Sequence, residues 1–149
     1  MLYRSYIIIG LVLLAAMLLT ACSGNTPLPP GCPPDCAGKS FYQAKLQKVN
    51  LRGANLRGAD LGAADLRGAD LSNADLTGGT VSRADLTGAN LRGANLTNVD
   101  MKWTILRGAD LTGATLTGAT LSFAPYDQAT KWPEGFQPKD FGAVLAPSK

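Results

Sequence analysis

An apolar residue falls at every fifth position from 46 to 121. It is Leu throughout except at Val81 and Met101. Two residues before it stands Ala in most units, with Val49, Gly79, Val99 and Thr104 as departures. Sixteen units follow one another without insertion, and Ala124 with Tyr126 extends the series. Ordinary secondary structure cannot use this period. On an α-helix five residues advance about 500°, so successive Leu side chains would step round the helix by about 140° and share no face. In a flat strand five is odd, so Leu would alternate between the two faces. A one-sided core requires a chain that turns once per unit, always in the same sense, with Ala and Leu inside. The second residue after the Leu suits such turns. It is Gly or Asn in most units, as at Gly53, Gly58, Gly68, Asn73, Gly78, Gly88, Gly93 and Asn98, and both residues tolerate positive φ.

The runs Ala-Asp-Leu-Arg-Gly and Ala-Asn-Leu-Arg-Gly resemble the pentapeptide-repeat family, whose pattern is A-(D/N)-L-x-x. The resemblance covers residues 44–126 and implies an all-β fold, a right-handed quadrilateral parallel β-helix with four repeats per coil. Sixteen repeats then form about four coils, a shaft roughly 20 Å long at about 4.8 Å between strands. Residues 20 apart should stack. Small Gly79 then lies beneath large Val99, and short Val81 beneath long Met101, as close packing demands. Thr104, polar in the Ala column, is expected to bond a turn carbonyl.

The N-terminal segment reads as an address. Ile7 to Leu19 is apolar apart from Gly10, too short for a membrane span and suited to the h-region of a signal peptide. Leu19-Thr20-Ala21-Cys22 resembles the lipobox of bacterial lipoproteins, in which the Cys is lipidated and becomes the mature N-terminus. That implies cleavage after residue 21, lipidation at Cys22 and a cell-envelope location. Ser23 in place of Asp resembles the outer-membrane sorting pattern, where the host has an outer membrane. Residues 22–38 then form the lipidated Cys and a Pro-rich tether, 39–126 the β-helix and 127–149 a C-terminal capping tail. Pro27, Pro29, Pro30, Pro33 and Pro34 favour extended polyproline II at about 3.1 Å per residue, enough to hold the domain up to roughly 37 Å off the membrane.

Cys32 and Cys36 remain. An even pair in an oxidising compartment reads first as a disulfide. A redox motif would more usually be Cys-x-x-Cys, and a zinc site wants four ligands, whereas the chain has three Cys and no His.

Charge bears on function. The chain has 149 residues, 14 Lys+Arg against 11 Asp+Glu, and a net charge of +3. This excludes a polybasic nucleic-acid binder. Without His the commonest general base is absent, and carboxylates on an open convex shaft lack a cleft to tune them. No catalytic residue, metal or cofactor is expected. The family's role as a DNA mimic acting on gyrase is the alternative reading, opposed by the signal peptide, the short shaft and the positive charge. Ice binding would need a Thr-x-Thr ladder, and only Thr115-Leu116-Thr117 has the full motif.

One corner differs from the others. Ala63, Arg83, Trp103 and Phe123 fall 20 apart, with Ile105 just past the corner. Arg83 beneath Trp103 suits a cation–π contact. Arg83, Trp103, Ile105 and Phe123 form either a partner-binding patch or the seat of a tail carrying Trp132, Phe136 and Phe141. Phe41 and Tyr42 are expected to close the opposite end. The expected function is a lipid-anchored, non-catalytic structural or protein-interaction scaffold. It touches the membrane through its lipid, binds an unidentified protein partner and binds no nucleic acid. Oligomeric state is left open.

Overall fold

The computed structural model describes residues 35–147. The signal segment, Cys22, the proline tether and Cys32 lie outside the described residues. The chain winds as a parallel coil in which each residue before the Leu bridges its counterpart 20 positions on, as in Asn50↔Asp70, Asp70↔Asn90 and Asn90↔Asp110. Twenty residues are four units, so each coil has four sides. Every fifth residue from Cys36 to Tyr126 is buried, and the Ala column is buried with it from Ala54 to Ala124.

The corners explain the pentapeptide. The N–H of the residue three after each Leu donates to that Leu's carbonyl, as in Ala94 N to Leu91 O at 3.0 Å. The third residue of each turn has φ near +60° from Gly38 to Phe123, the signature of a type II turn. The Leu N–H and the third residue's N–H donate to the coil above, as in Leu91 to Asp110 O at 2.8 Å and Gly93 to Thr112 O at 3.0 Å. The N–H of the residue before the Leu donates to the coil below, as in Asn90 to Ala69 O. One donor per unit is left over, just after the Leu, and the Asp or Asn side chain accepts it. Thr77 N donates to Asp75 Oδ1 at 3.0 Å, and Thr87 N to Asp85 Oδ1 at 2.9 Å. The pattern A-(D/N)-L-x-x is thus a rule for pairing every main-chain donor.

These bonds pull the carboxylates toward ionisation. At Asp70 the Ser72 hydroxyl leads the lowering. At Asp127 the Gly108 N–H leads. At Asp110 burial acts the other way and is outweighed by Thr112, Arg92 and Lys131. A carboxyl depressed in the fold contributes stability above its unfolded value, and that stability is lost as pH falls through the depressed folded value. The melting temperature should therefore stay level from neutral pH to about 5 and fall below about 4. Asp110→Asn should flatten that fall. An acid limb identical in wild type and Asp110→Asn, followed by circular dichroism, would contradict this origin.

Like charges rarely stack. Asn50, Asp70, Asn90 and Asp110 alternate up one side, Asp35, Asn55, Asp75 and Asn95 up another. Asp65 directly beneath Asp85 breaks the alternation, and Arg67 sits between them, 2.6 Å from Asp65 and 3.9 Å from Asp85. Its guanidinium leads the lowering of the Asp65 carboxyl. Arg67→Met should lower the melting temperature by about 2 °C at low salt, with the deficit shrinking at about 1 M salt as repulsion is screened. Arg57→Met, whose ion-pair partner among the described residues is Asp75, should cost less. Equal, salt-independent deficits in the two variants would sink the assignment.

Several expectations change. The coil already includes Asp35, bridged to Asn55, and so takes residues 35–38 from the expected tether. Cys36 is fully buried in a Leu position and is disulfide-bonded, its partner lying outside the described residues. Phe41 is buried in the next Leu position, whereas Tyr42 is 58% exposed and runs along an edge instead of closing the end. Gly79 lies under Val99 in register, and its backbone also presses on the coil below. A Cβ there would stand 2.8 Å from the Ala59 carbonyl. Thr104 Oγ1 donates to the Val81 carbonyl at 2.8 Å, a corner carbonyl as expected.

The tail makes one more, irregular circuit. Lys131 bridges Asp110 after a single inserted residue, and Thr130 Oγ1 donates to the Leu106 carbonyl at 2.8 Å. Tyr126, Trp132, Phe136 and Phe141 then contact one another in series, with centroids 4.6–5.5 Å apart. A short 3-10 turn at Pro138–Phe141 leads to Val144–Leu145, which pairs in parallel with Pro125–Tyr126. The apolar end of the core is thereby covered, as a solenoid requires.

Candidate functional site

The left-handed corner position is where the four edges diverge. Three edges fill it with Gly or Asn, apart from Lys48. The fourth carries Gln43, Ala63, Arg83, Trp103 and Phe123, with φ between 53° and 63°. A side chain in the left-handed region costs about 1–2 kcal/mol per residue, and glycine would avoid that cost. The chain accepts it in every coil along one line, so this edge displays side chains where the others display almost none.

The display is chemically graded. Near the start, Tyr42 lies against Gly62, where a Cβ would stand 3.1 Å from the ring. Arg83 is exposed in the middle. At the far end Trp103 and Phe123 stack with centroids 4.5 Å apart and planes 17° from parallel. They remain 52% and 56% exposed. The ring contact of Trp103 therefore runs upward to Phe123 instead of downward to the expected cation–π partner Arg83. Ile105 is half-buried on the adjoining side, bridged to Asp85. Having no side-chain oxygen, it cannot accept the N–H of Arg107.

The tail leaves this pair open. Its aromatics gather over the end of the core, and only its backbone reaches the edge, where Phe123 N donates to Gly142 O at 2.8 Å. Gly142 lies over Ser122, with φ of 80° and no side chain. Of the residues singled out from sequence, Arg83, Trp103 and Phe123 thus share one edge and Ile105 adjoins it. Cys36 is buried at a Leu position of the coil, and Cys22 and Cys32 lie outside the described residues. Gln43 was missed as a member of this edge, and Tyr42 as its neighbour. The signal at Gln43 was the absence of Gly from the corner position at every twentieth residue. Among the described residues no group of three or more His, Cys, Asp or Glu is placed to hold a metal.

The description "Pentapeptide repeats" matches the chain in eight copies, over residues 40–73, 64–102 and 94–124. No curated protein matches it. Among solved structures it is similar to a pentapeptide repeat protein from the Arabidopsis thaliana thylakoid lumen, 32% identical, with a TM-score of 0.65 over 70% of this chain and 74% of that one. It is also similar to a pentapeptide repeat protein from Nostoc PCC 7120, 36% identical, with a TM-score of 0.38 over 72% of this chain and 85% of that one. Proteins built this way are generally non-catalytic structural or interaction proteins. The five-residue period, the four-sided coil, the eight matched repeats and the likeness to the Arabidopsis structure agree, and the chain belongs to the pentapeptide-repeat family, whose fold is the right-handed quadrilateral β-helix.

Proposed function

We propose that the protein is a lipid-anchored, non-catalytic scaffold of the cell envelope, held by Cys22 and engaging a protein partner along the Arg83–Trp103–Phe123 edge. The observation that carries the binding role is the exposed stacked pair Trp103–Phe123 on an edge built of left-handed, side-chain-bearing residues. Strain retained in a line and spent on aromatic display favours recognition over packing. The anchor is supported by Leu19-Thr20-Ala21-Cys22 after a short apolar run. A location beyond a membrane accords with a solved relative from the thylakoid lumen. Two or three acyl chains, at about 0.8 kcal/mol per buried CH₂, give lasting attachment where one gives only marginal binding. Among the described residues no helix is long and apolar enough to cross a membrane.

The test is the intact mass of the protein extracted from membranes. A mass matching acylated Cys22 to Lys149 is expected, and Cys22→Ser should retain the signal segment and take up no labelled fatty acid. A soluble chain starting at Met1 in wild type would overturn the envelope reading. Trp103→Ala should weaken capture of a crosslinked envelope partner with little change in melting temperature, because the ring is half exposed.

A further inference from the structure

The tail covers the end of the core without pairing all of the last coil's backbone. In lower coils each upward-facing donor has a partner, as in Leu96 N to Thr115 O at 2.8 Å and Asn98 N to Thr117 O at 2.9 Å. One coil higher, the N–H groups of Leu116 and Gly118 have no partner among the described residues. Nor does the carbonyl of Ala114, although the Ala94 carbonyl below it accepts Thr115 N at 2.9 Å. Beside this rung the tail arches away and leaves an open cleft of about 490 Å³ walled by Leu116, Phe136 and Phe141. Leu116 and Ala114 are both 7% exposed, whereas their counterparts Leu96 and Ala94 are fully covered.

We infer that this rung is a β-addition site for an extended peptide segment of a partner protein. Backbone chemistry identifies the occupant. Two donors and an acceptor in strand register are matched by another polypeptide main chain in extended form. The coil below gives the register. A peptide residue standing where Thr115 stands above Ala94 would donate its N–H to Ala114 O and accept from Leu116 N–H. The carbonyl two residues on would accept from Gly118 N–H. The side chain between them would turn inward, as Leu116 does, and enter the apolar cleft. Glu134 is the titratable residue lining that cleft, so a Lys or Arg just beyond the inserted apolar residue is favoured. This site is separate from the aromatic edge and does not depend on the lipid anchor.

The full chain in detergent micelles is titrated with the blocked hexapeptide Ac-Thr-Leu-Thr-Lys-Val-Thr-NH2. A second copy is methylated on the backbone nitrogen of the first Thr. The amides of Leu116 and Gly118 should shift and become protected from hydrogen exchange. The methylated peptide should bind about tenfold more weakly, as expected for disrupted main-chain pairing. Glu134→Gln, an exposed change that leaves folding intact, should weaken binding of the first peptide by about twofold to fivefold. Equal binding of the two peptides would overturn the proposal, as would binding without protection of those amides or no binding at millimolar peptide. Protection of both amides before peptide is added, with a dimer in sedimentation, would assign the rung to a second copy instead and equally overturn it.

Discussion

Leu91→Ala should cost about 3–5 kcal/mol and lower the melting temperature by about 10–20 °C. The size follows from the coil's inability to close over a lost side chain. Leu91 is completely buried, with Leu71 one coil below and Leu111 one coil above. Its strand is held at fixed spacing by Leu71 N to Asn90 O at 2.8 Å and Leu91 N to Asp110 O at 2.8 Å. Collapse into the cavity would stretch both bonds, so the site belongs at the upper end of the Leu→Ala range. Each coil of a solenoid is stabilised by its neighbours, and a mid-shaft lesion weakens two such interfaces at once. Leu116→Ala should cost less, about 2 kcal/mol, because Leu116 faces an intact coil on one side and the open cleft on the other. Urea denaturation of both variants checks this. Equal losses, or a loss at Leu91 below about 1.5 kcal/mol, would mean that the coils relax along the axis.

The shaft was legible because its repeating unit answers one physical demand at a time. Leu and Ala fill the interior, Asp or Asn accepts the leftover N–H, and Gly or Asn takes the left-handed corner. Each choice leaves a mark at a fixed place in the five. Residues 35–38 were left to the tether because Cys36 occupies a Leu position and Lys39 stands where Ala is usual. The interior position asks for a side chain that fills the end of the core, which need not be Leu. Gly38, with φ of 63°, was the surviving mark. The tail was illegible for a different reason. One inserted residue moves Lys131 to a register of 21 against Asp110, and beyond it the path depends on aromatic contacts that no spacing encodes. At the aromatic edge the column was readable from the 20-residue interval. Which neighbour Trp103 touches was not, since that depends on a rotamer chosen between Arg83 below and Phe123 above.

Gln43→Gly, Ala63→Gly and Arg83→Gly, combined, should stabilise the protein by about 1.5–3 kcal/mol and raise its melting temperature by about 5–10 °C. Truncating a side chain ordinarily stabilises nothing, so the sign is the informative part. Each of the three holds φ between 57° and 61° or close to it, with Ala63 lowest at 53°. Relief of about 1–2 kcal/mol per residue is offset by about 0.5–1 kcal/mol from the greater freedom of Gly in the unfolded chain. The converse change, Gly88→Ala on a neighbouring edge, should destabilise, since Gly88 has φ of 66° and open space around its missing Cβ. The backbone conformation is then the common cause of both effects, which calorimetry on the triple variant and on Gly88→Ala can separate from packing. If the triple variant is less stable than wild type, these side chains make contacts worth more than their strain, and the edge is structural. If it is more stable, the chain keeps a costly line of side chains for something other than folding. In that case Arg83→Gly alone should also weaken partner capture, although it strengthens the fold. That opposition between stability and binding is what a recognition edge requires and a solvated corner does not.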